Sequence, residues 1–171
     1  FYSDVLGLRL VKQTVNFNEK FTRHLFYGDE TGSPGTVLTF FPYPAEDDGR
    51  PGKPQITTGA LVIPPTAVSY WRERLAERDV DVTESERFGE RVLRFEDPDG
   101  TQLELVTGES DVEPWADGPV PTKHAIRGIH SVTLLSASVY VTASVLETLG
   151  FELVDQEDDR VRYQVSGERA T

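Results

Sequence analysis

One ten-residue pattern occurs twice in this chain. Residues 4–13 read Asp-Val-Leu-Gly-Leu-Arg-Leu-Val-Lys-Gln, and residues 147–156 read Glu-Thr-Leu-Gly-Phe-Glu-Leu-Val-Asp-Gln. Leu6, Gly7, Leu10, Val11 and Gln13 recur as Leu149, Gly150, Leu153, Val154 and Gln156, with an acid heading both copies. An internal repeat constrains the fold strongly, because the same supersecondary unit must be built more than once. Each copy reads as a helix end, a glycine just past it, and a strand of alternating apolar residues. The later copy has a strand and a helix before it, whereas the earlier opens almost at once on Phe1. The expectation is a first unit without its front.

Three units follow from the turn and periodicity signals. Residues 1–44 hold a helix end (Phe1 to Leu6), strands at Leu8–Asn16 and Thr22–Asp29, a turn cluster at Asp29–Gly35, and a closing strand at Thr36–Tyr43. Residues 44–54 are a linker rich in Pro and Gly. Residues 55–107 make a complete βαβββ unit. A strand spans Gln55–Ile63, and Pro64-Pro65-Thr66 opens a helix with Val68, Trp71 and Leu75 on one face. Strands at Val80–Glu86 and Arg91–Phe95, a tight Asp97-Pro-Asp-Gly100 turn and a closing strand Gln102–Val106 complete it. Residues 108–125 form a second linker. Residues 126–171 begin a third unit: a strand through Gly128–Leu134, a helix from about Ser138 to Leu149, and strands at Phe151–Asp155 and Arg160–Val165, with no closing strand. The fold class is α+β, with tandem βαβββ modules.

Composition excludes several functions. With no cysteine there is no disulfide, thiolate metal ligand or thiol nucleophile. A formal net charge of -12 argues against a nucleic-acid partner, since phosphate binding needs Lys and Arg. Dispersed acids, with Arg outnumbering Lys, fit either a halophilic surface or an ordinary acidic one. No segment approaches the roughly 18 apolar residues of a membrane span, and none reads as a secretory signal, so the expectation is a cytoplasmic protein without a membrane partner.

The βαβββ series resembles the vicinal-oxygen-chelate superfamily, which includes glyoxalase I, bleomycin-resistance proteins and extradiol dioxygenases. More narrowly, Phe1–Phe17, the His24–Pro42 segment with its Tyr-Gly-Asp-Glu-Thr-Gly-Ser-Pro-Gly run, and Gly128-Ile-His-Ser-Val-Thr-Leu134 resemble ring-cleaving dioxygenases that open hydroquinone-type rings. The resemblance implies cupped mixed sheets with helices outside, made by pairing units. It also implies a non-haem Fe(II), with Mn(II) as an alternative, held by two His and one carboxylate. The partners would be a small aromatic substrate and O₂, and homo-oligomerisation stays open.

In complete members of the family the first of four units pairs with the fourth to hold iron. On that scheme the principal ligands lie before Phe1 and after Thr171. The second and third units would make the other pair, with Thr58, Glu104 and His130 at the ligand positions. Thr58 stands where a His is needed, so Glu104 and His130 are the remaining metal candidates of a degenerate copy. Glu104 alternates with Leu103 and Leu105, so it either lines the cup or faces solvent. His130 has a structural alternative, as a hydrogen-bonded strand histidine. His24 is a candidate acid–base or substrate contact, with backbone pairing as its alternative. Phe26, Phe40 and Phe41 read as core residues, although one alternating set must face the cup, which makes Phe40 and Phe41 the candidate substrate contacts; His124 reads as a solvated linker residue. Two rival functions remain: a metal-free binding protein of the bleomycin-resistance type and a glyoxalase-type metal isomerase. The isomerase would need a Glu on the first unit's closing strand, which offers none. The isolated chain is expected to be catalytically inactive, and either to associate or to be poorly ordered over its first forty residues, whose cup face and edges want a partner.

Overall fold

The computed structural model describes residues 1–43, 49 and 52–166. Most of the 44–54 linker and the last five residues of the third unit lie outside the described residues. Among the described residues, ten strands and two α-helices follow one another. Strands β1 (Arg9–Val15), β2 (Arg23–Gly28) and β3 (Leu38–Phe40) form an antiparallel sheet in the order β1-β2-β3. Next come β4 (Gln55–Ile63), α1 (Val68–Ala76), β5 (Thr83–Arg87), β6 (Glu90–Glu96) and β7 (Gln102–Thr107). The chain continues through β8 (Ile129–Leu135), α2 (Val139–Thr148), β9 (Glu152–Glu157) and β10 (Arg160–Gln164). The five-stranded sheet runs β5-β6-β7-β4-β8, with β4 parallel to β7 and antiparallel to β8, while β9 and β10 form a separate hairpin. The opening strands of the second and third units thus lie edge to edge.

The core sits on one side of this sheet. Leu61, Ile63, Leu93, Phe95, Leu103 and Leu105 alternate onto that side and meet Val68, Trp71 and Leu75 of α1. A short 3-10 turn, Pro65–Ala67, leads into α1, where the proline needs no amide donor. The first unit packs on this core through Phe1, Tyr2, Val5, Tyr27 and Leu38. Leu6 and Leu8 are buried in it. Arg74 of α1 donates to the carbonyls of Val5 at 2.8 Å and Asp4 at 2.7 Å, satisfying the free carbonyls of the turn that ends at Leu6. The Tyr2 hydroxyl donates to Asp97 at 2.7 Å. Burial and then this bond to Asp97 push the phenol far above its usual range.

The repeat has a geometric cause. After α2, Phe151 N–H reaches the Leu146 carbonyl and Gly150 N–H the Glu147 carbonyl, with Gly150 at φ +88°, the hydrogen-bond pattern of a Schellman cap. Gly7 takes the same left-handed conformation at φ +72°. A third copy follows α1: Val80 N–H reaches Leu75 and Asp79 N–H reaches Ala76, with Asp79 at φ +57°. Asp79 stands in the glycine's place, which hid this copy from the sequence comparison.

The third unit is less covered. No residue of α2 is buried, and Val132, Leu134, Tyr140, Val141, Val145, Leu149 and Leu153 are exposed apolar side chains. Among the described residues, no helix is long and apolar enough to cross a membrane.

Candidate functional site

Two sheet faces turn away from the helices, and their chemistry differs. On the five-stranded sheet, Ala60, Val92 and Val106 form a small apolar cluster on the side opposite α1. Ala60 pairs with Glu104 on one flank and Ser131 on the other, and Arg94 pairs with Glu104, so all four share that face. Glu104 therefore lines the cup and is only 1% exposed. Its carboxylate is fully engaged. Arg87 donates through Nη1 to Oε1 at 3.2 Å and through Nη2 to Oε2 at 2.5 Å. Arg94 donates through Nε and Nη2 to Oε1 at 3.1 and 2.9 Å. Burial would push this carboxyl up, but the two guanidiniums prevail and hold it below the usual glutamate range.

His130 stands at an irregularity in the β4–β8 pairing, between Ser131 opposite Ala60 and Ile129 opposite Leu61. Its Nδ1 meets Ser131 Oγ at 2.9 Å and its Nε2 meets Glu90 Oε1 at 3.3 Å. Burial lowers its pKa, against the opposing pull of Glu90. Glu90 is also clamped by Arg162 of β10, whose guanidinium bonds both carboxylate oxygens and lies 4.4 Å over the Phe88 ring. Phe88 N–H donates to Glu157 of β9 at 2.5 Å. Although burial works against it, Arg162 and His130 hold Glu90 below its usual pKa. These contacts fasten the β9–β10 hairpin of the third unit to the β5–β6 turn of the second.

This cup does not fit a divalent ion. Thr58 offers only a hydroxyl and is buried, Glu104 spends both oxygens on arginines, and His130 is bonded to Glu90 and Ser131. Among the described residues, no group of three His, Cys, Asp or Glu side chains could hold a metal. The arginines and Glu90 were missed at the sequence level. The signal lay in the turns: the Asp97–Gly100 turn sets Glu96 opposite Gln102, which puts Arg94 opposite Glu104 two residues on.

The first sheet presents the contrasting face. Its register sets Thr14 beside His24, Lys12 beside Phe26, and Phe26 beside Thr39. Leu25, Tyr27, Leu38 and Phe40 point the other way. Tyr27 and Leu38 pack on the core, and Phe40 lies 4.3 Å from the Tyr2 ring, which corrects its assignment as a substrate contact. Phe26, expected in the core, is instead on the open face. The His24 ring lies 4.0 Å from Phe26 and 4.1 Å from Phe41, tilted to both, and its Nε2 is buried without a hydrogen-bond partner among the described residues. The Lys12 ammonium lies 5.2 Å from the Phe26 centroid. His124, expected to be solvated, is half-buried: its ring stacks on Tyr70 at 4.3 Å and its carbonyl accepts from Trp71 Nε1 at 2.7 Å. Burial, then the charge of Lys123, lowers its pKa.

Residues 1–105 match the family described as the Glyoxalase/Bleomycin resistance protein/Dioxygenase superfamily. A Bacillus subtilis protein named "Putative ring-cleaving dioxygenase MhqO" is 44% identical over 170 residues, which is 98% of this chain and 54% of that protein. A Sphingobium indicum protein named "Chlorohydroquinone/hydroquinone 1,2-dioxygenase" is 41% identical over 134 residues, 75% of this chain and 42% of that one. A crystal structure described as a "putative dioxygenase" from Bacillus subtilis superposes with a TM-score of 0.94 at 44% identity, over 99% of this chain and 56% of its own. The chain spans about half the length of the curated relatives it matches. A repeated βαβββ frame with one ion-paired cup face and one aromatic face, together with these matches, places the chain in the Glyoxalase/Bleomycin resistance protein/Dioxygenase superfamily.

Proposed function

We propose that this chain is part of a ring-cleaving dioxygenase that acts on dihydroxy-aromatic compounds of the hydroquinone type, with O₂ as co-substrate. The observation that carries the proposal is the face of the first sheet, where Phe26, Phe41 and His24 form an aromatic surface turned away from the core. The names of the relatives support the same chemistry. Fe(II), or Mn(II) in its place, would be held by residues other than the described ones, which do not fit such an ion. This chain would contribute one wall: it packs against the ring, orients it, and excludes water from one side.

The experiment is a chimera. The matching segment of the Sphingobium enzyme is replaced by this chain, and O₂ uptake and ring-cleavage product are followed with hydroquinone and added Fe(II). The expected outcome is cleavage by the chimera and none by the 171-residue chain alone. A chimera that folds and consumes no O₂, beside an active parent, overturns the proposal.

A further inference from the structure

The two cup faces are built on one frame and filled differently. Core-facing Leu38 and Phe40 occupy the places of Leu103 and Leu105, so Thr39 stands where Glu104 stands, and Phe26 stands where Arg94 stands. Where the five-stranded sheet closes its face with ion pairs, the first sheet carries aromatic rings, a histidine and Lys12, which makes no ion pair among the described residues.

We propose that this open face binds planar aromatic rings carrying an anionic oxygen, with His24 supplying the polar contact and Lys12 the charge that selects the anion. The proposal rests on the first sheet being the substrate-facing wall and deepens it by naming the class of ring. Contacts with Phe26 and Phe41 hold the His24 ring, whose side chain makes no hydrogen bond among the described residues, so the imidazole is oriented before a ligand arrives. Its Nε2 is buried and unpartnered among the described residues, an arrangement that costs free energy until an oxygen or donor meets it. Phe41 lies just past the end of β3 and is 40% exposed, so its ring is the solvent-accessible side of the His24 contact. Lys12 makes no ion pair among the described residues, unlike Arg87, Arg94 and Arg162. Its position over the Phe26 ring sets a positive charge beside the stacking surface. An aromatic ring with a phenolate oxygen matches all three features.

The test needs neither metal nor O₂, so its failure is distinguishable from failure of the dioxygenase proposal. The 171-residue chain, isotope-labelled, is titrated with 4-nitrophenolate, nitrobenzene and cyclohexane-1,4-diol at mildly alkaline pH and followed by NMR. The expected result is perturbation at Lys12, His24, Phe26, Thr39 and Phe41, with nitrophenolate about tenfold tighter than nitrobenzene and no response to the saturated diol. His24→Phe keeps the stack, and Lys12→Met keeps the stem. Each should weaken nitrophenolate binding about five- to tenfold and leave nitrobenzene unchanged, with the Trp71 resonances reporting an intact core. Equal affinity for the charged and neutral rings, perturbations confined to other sheets, or unaltered binding in both variants overturns the proposal.

Discussion

Glu104→Gln isolates the largest electrostatic commitment in the molecule. The side chain is fully buried and accepts four hydrogen bonds from two guanidiniums. Glutamine has nearly the same shape but keeps one acceptor oxygen and turns an NH₂ toward an arginine. Removing one partner of a buried ion pair costs about 3–5 kcal/mol, mostly because a charge is left without compensation. Here the two arginines differ. The Arg94 side chain is 42% exposed and can return to water, so its share shrinks toward the roughly 0–1 kcal/mol of a surface pair. Arg87 is 14% exposed and cannot. The net expectation is a loss of about 2–4 kcal/mol, or a fall in Tm of about 4–16 °C for a chain of this size.

Urea and thermal unfolding followed by circular dichroism measure that loss directly. A triple change, Glu104→Leu with Arg87→Leu and Arg94→Met, should recover most of it, because no buried charge then remains. The pH dependence has a definite sign. Folding depresses the Glu104 pKa below its ordinary 4.5, so the carboxylate's stabilisation is present above that value and lost as pH falls through the folded one. Wild type and Glu104→Gln should therefore differ most near neutrality and converge in acid below about pH 4.5. A loss under about 1 kcal/mol at pH 7, or a gap that widens in acid, would refute the picture of a charge-locked cup.

Three further outcomes follow from particular residues. Gly7→Ala and Gly150→Ala both force a Cβ into left-handed backbone at about 1–2 kcal/mol. The Gly7 Cβ would also sit 2.6 Å from Val120 Cγ2, whereas the Gly150 Cβ meets nothing, so Gly7→Ala should unfold at lower urea by an additional 1–3 kcal/mol or so. Asp79→Gly relieves the same strain at the third copy of the cap and should raise stability by up to about 1 kcal/mol in the same assay. Glu90→Gln removes the carboxylate shared by Arg162 and His130. It should accelerate amide exchange in β9 and β10 by roughly five- to tenfold while leaving β6 and β7 protected, since it loosens one hairpin and not the core.

The frame was legible because it rests on local signals. Gly150 marks the end of α2 and Gly7 the end of the turn before β1, alternation marks β4 and β7, and the Asp97–Gly100 turn joins β6 to β7. The third cap escaped because Asp tolerates left-handed backbone well enough to replace Gly, leaving no letter in common. Side-chain facing was legible only to parity. Alternation correctly set Glu104 opposite Leu103 and Leu105, yet could not say whether that side held water, metal or arginine. The answer depended on Arg87 and Arg94 from two other strands, and register across a turn is not a one-strand property. Phe40 and Phe41 show the same limit: neighbours in sequence must point to opposite faces, so only one of them could line the cup. His124 was misjudged because the segment around it, rich in Pro and polar residues, still packs on α1.

The contrast between the two faces argues for a division of labour within one repeated frame. A cup lined by Glu104, Arg87 and Arg94 has its charges satisfied internally, so each bond spent on the carboxylate is one that no ligand can use. That arrangement welds β5, β6 and β7 together and, through Glu90 and Arg162, fastens the third unit to the second. The first sheet spends nothing of this kind on its open face. Thr39 has no charge to neutralise where Glu104 has one, Phe26 has no carboxylate to meet where Arg94 has one, and His24 Nε2, beside the two phenylalanine rings, has no hydrogen-bond partner among the described residues. Substitution of an ion-paired couple by an aromatic–hydroxyl couple at one paired position therefore leaves the first sheet's open face without the Glu104–Arg94 bond that closes the other. The second and third units then act as the rigid support against which the first sheet is held, through Arg74 on the Asp4 and Val5 carbonyls and Tyr2 on Asp97.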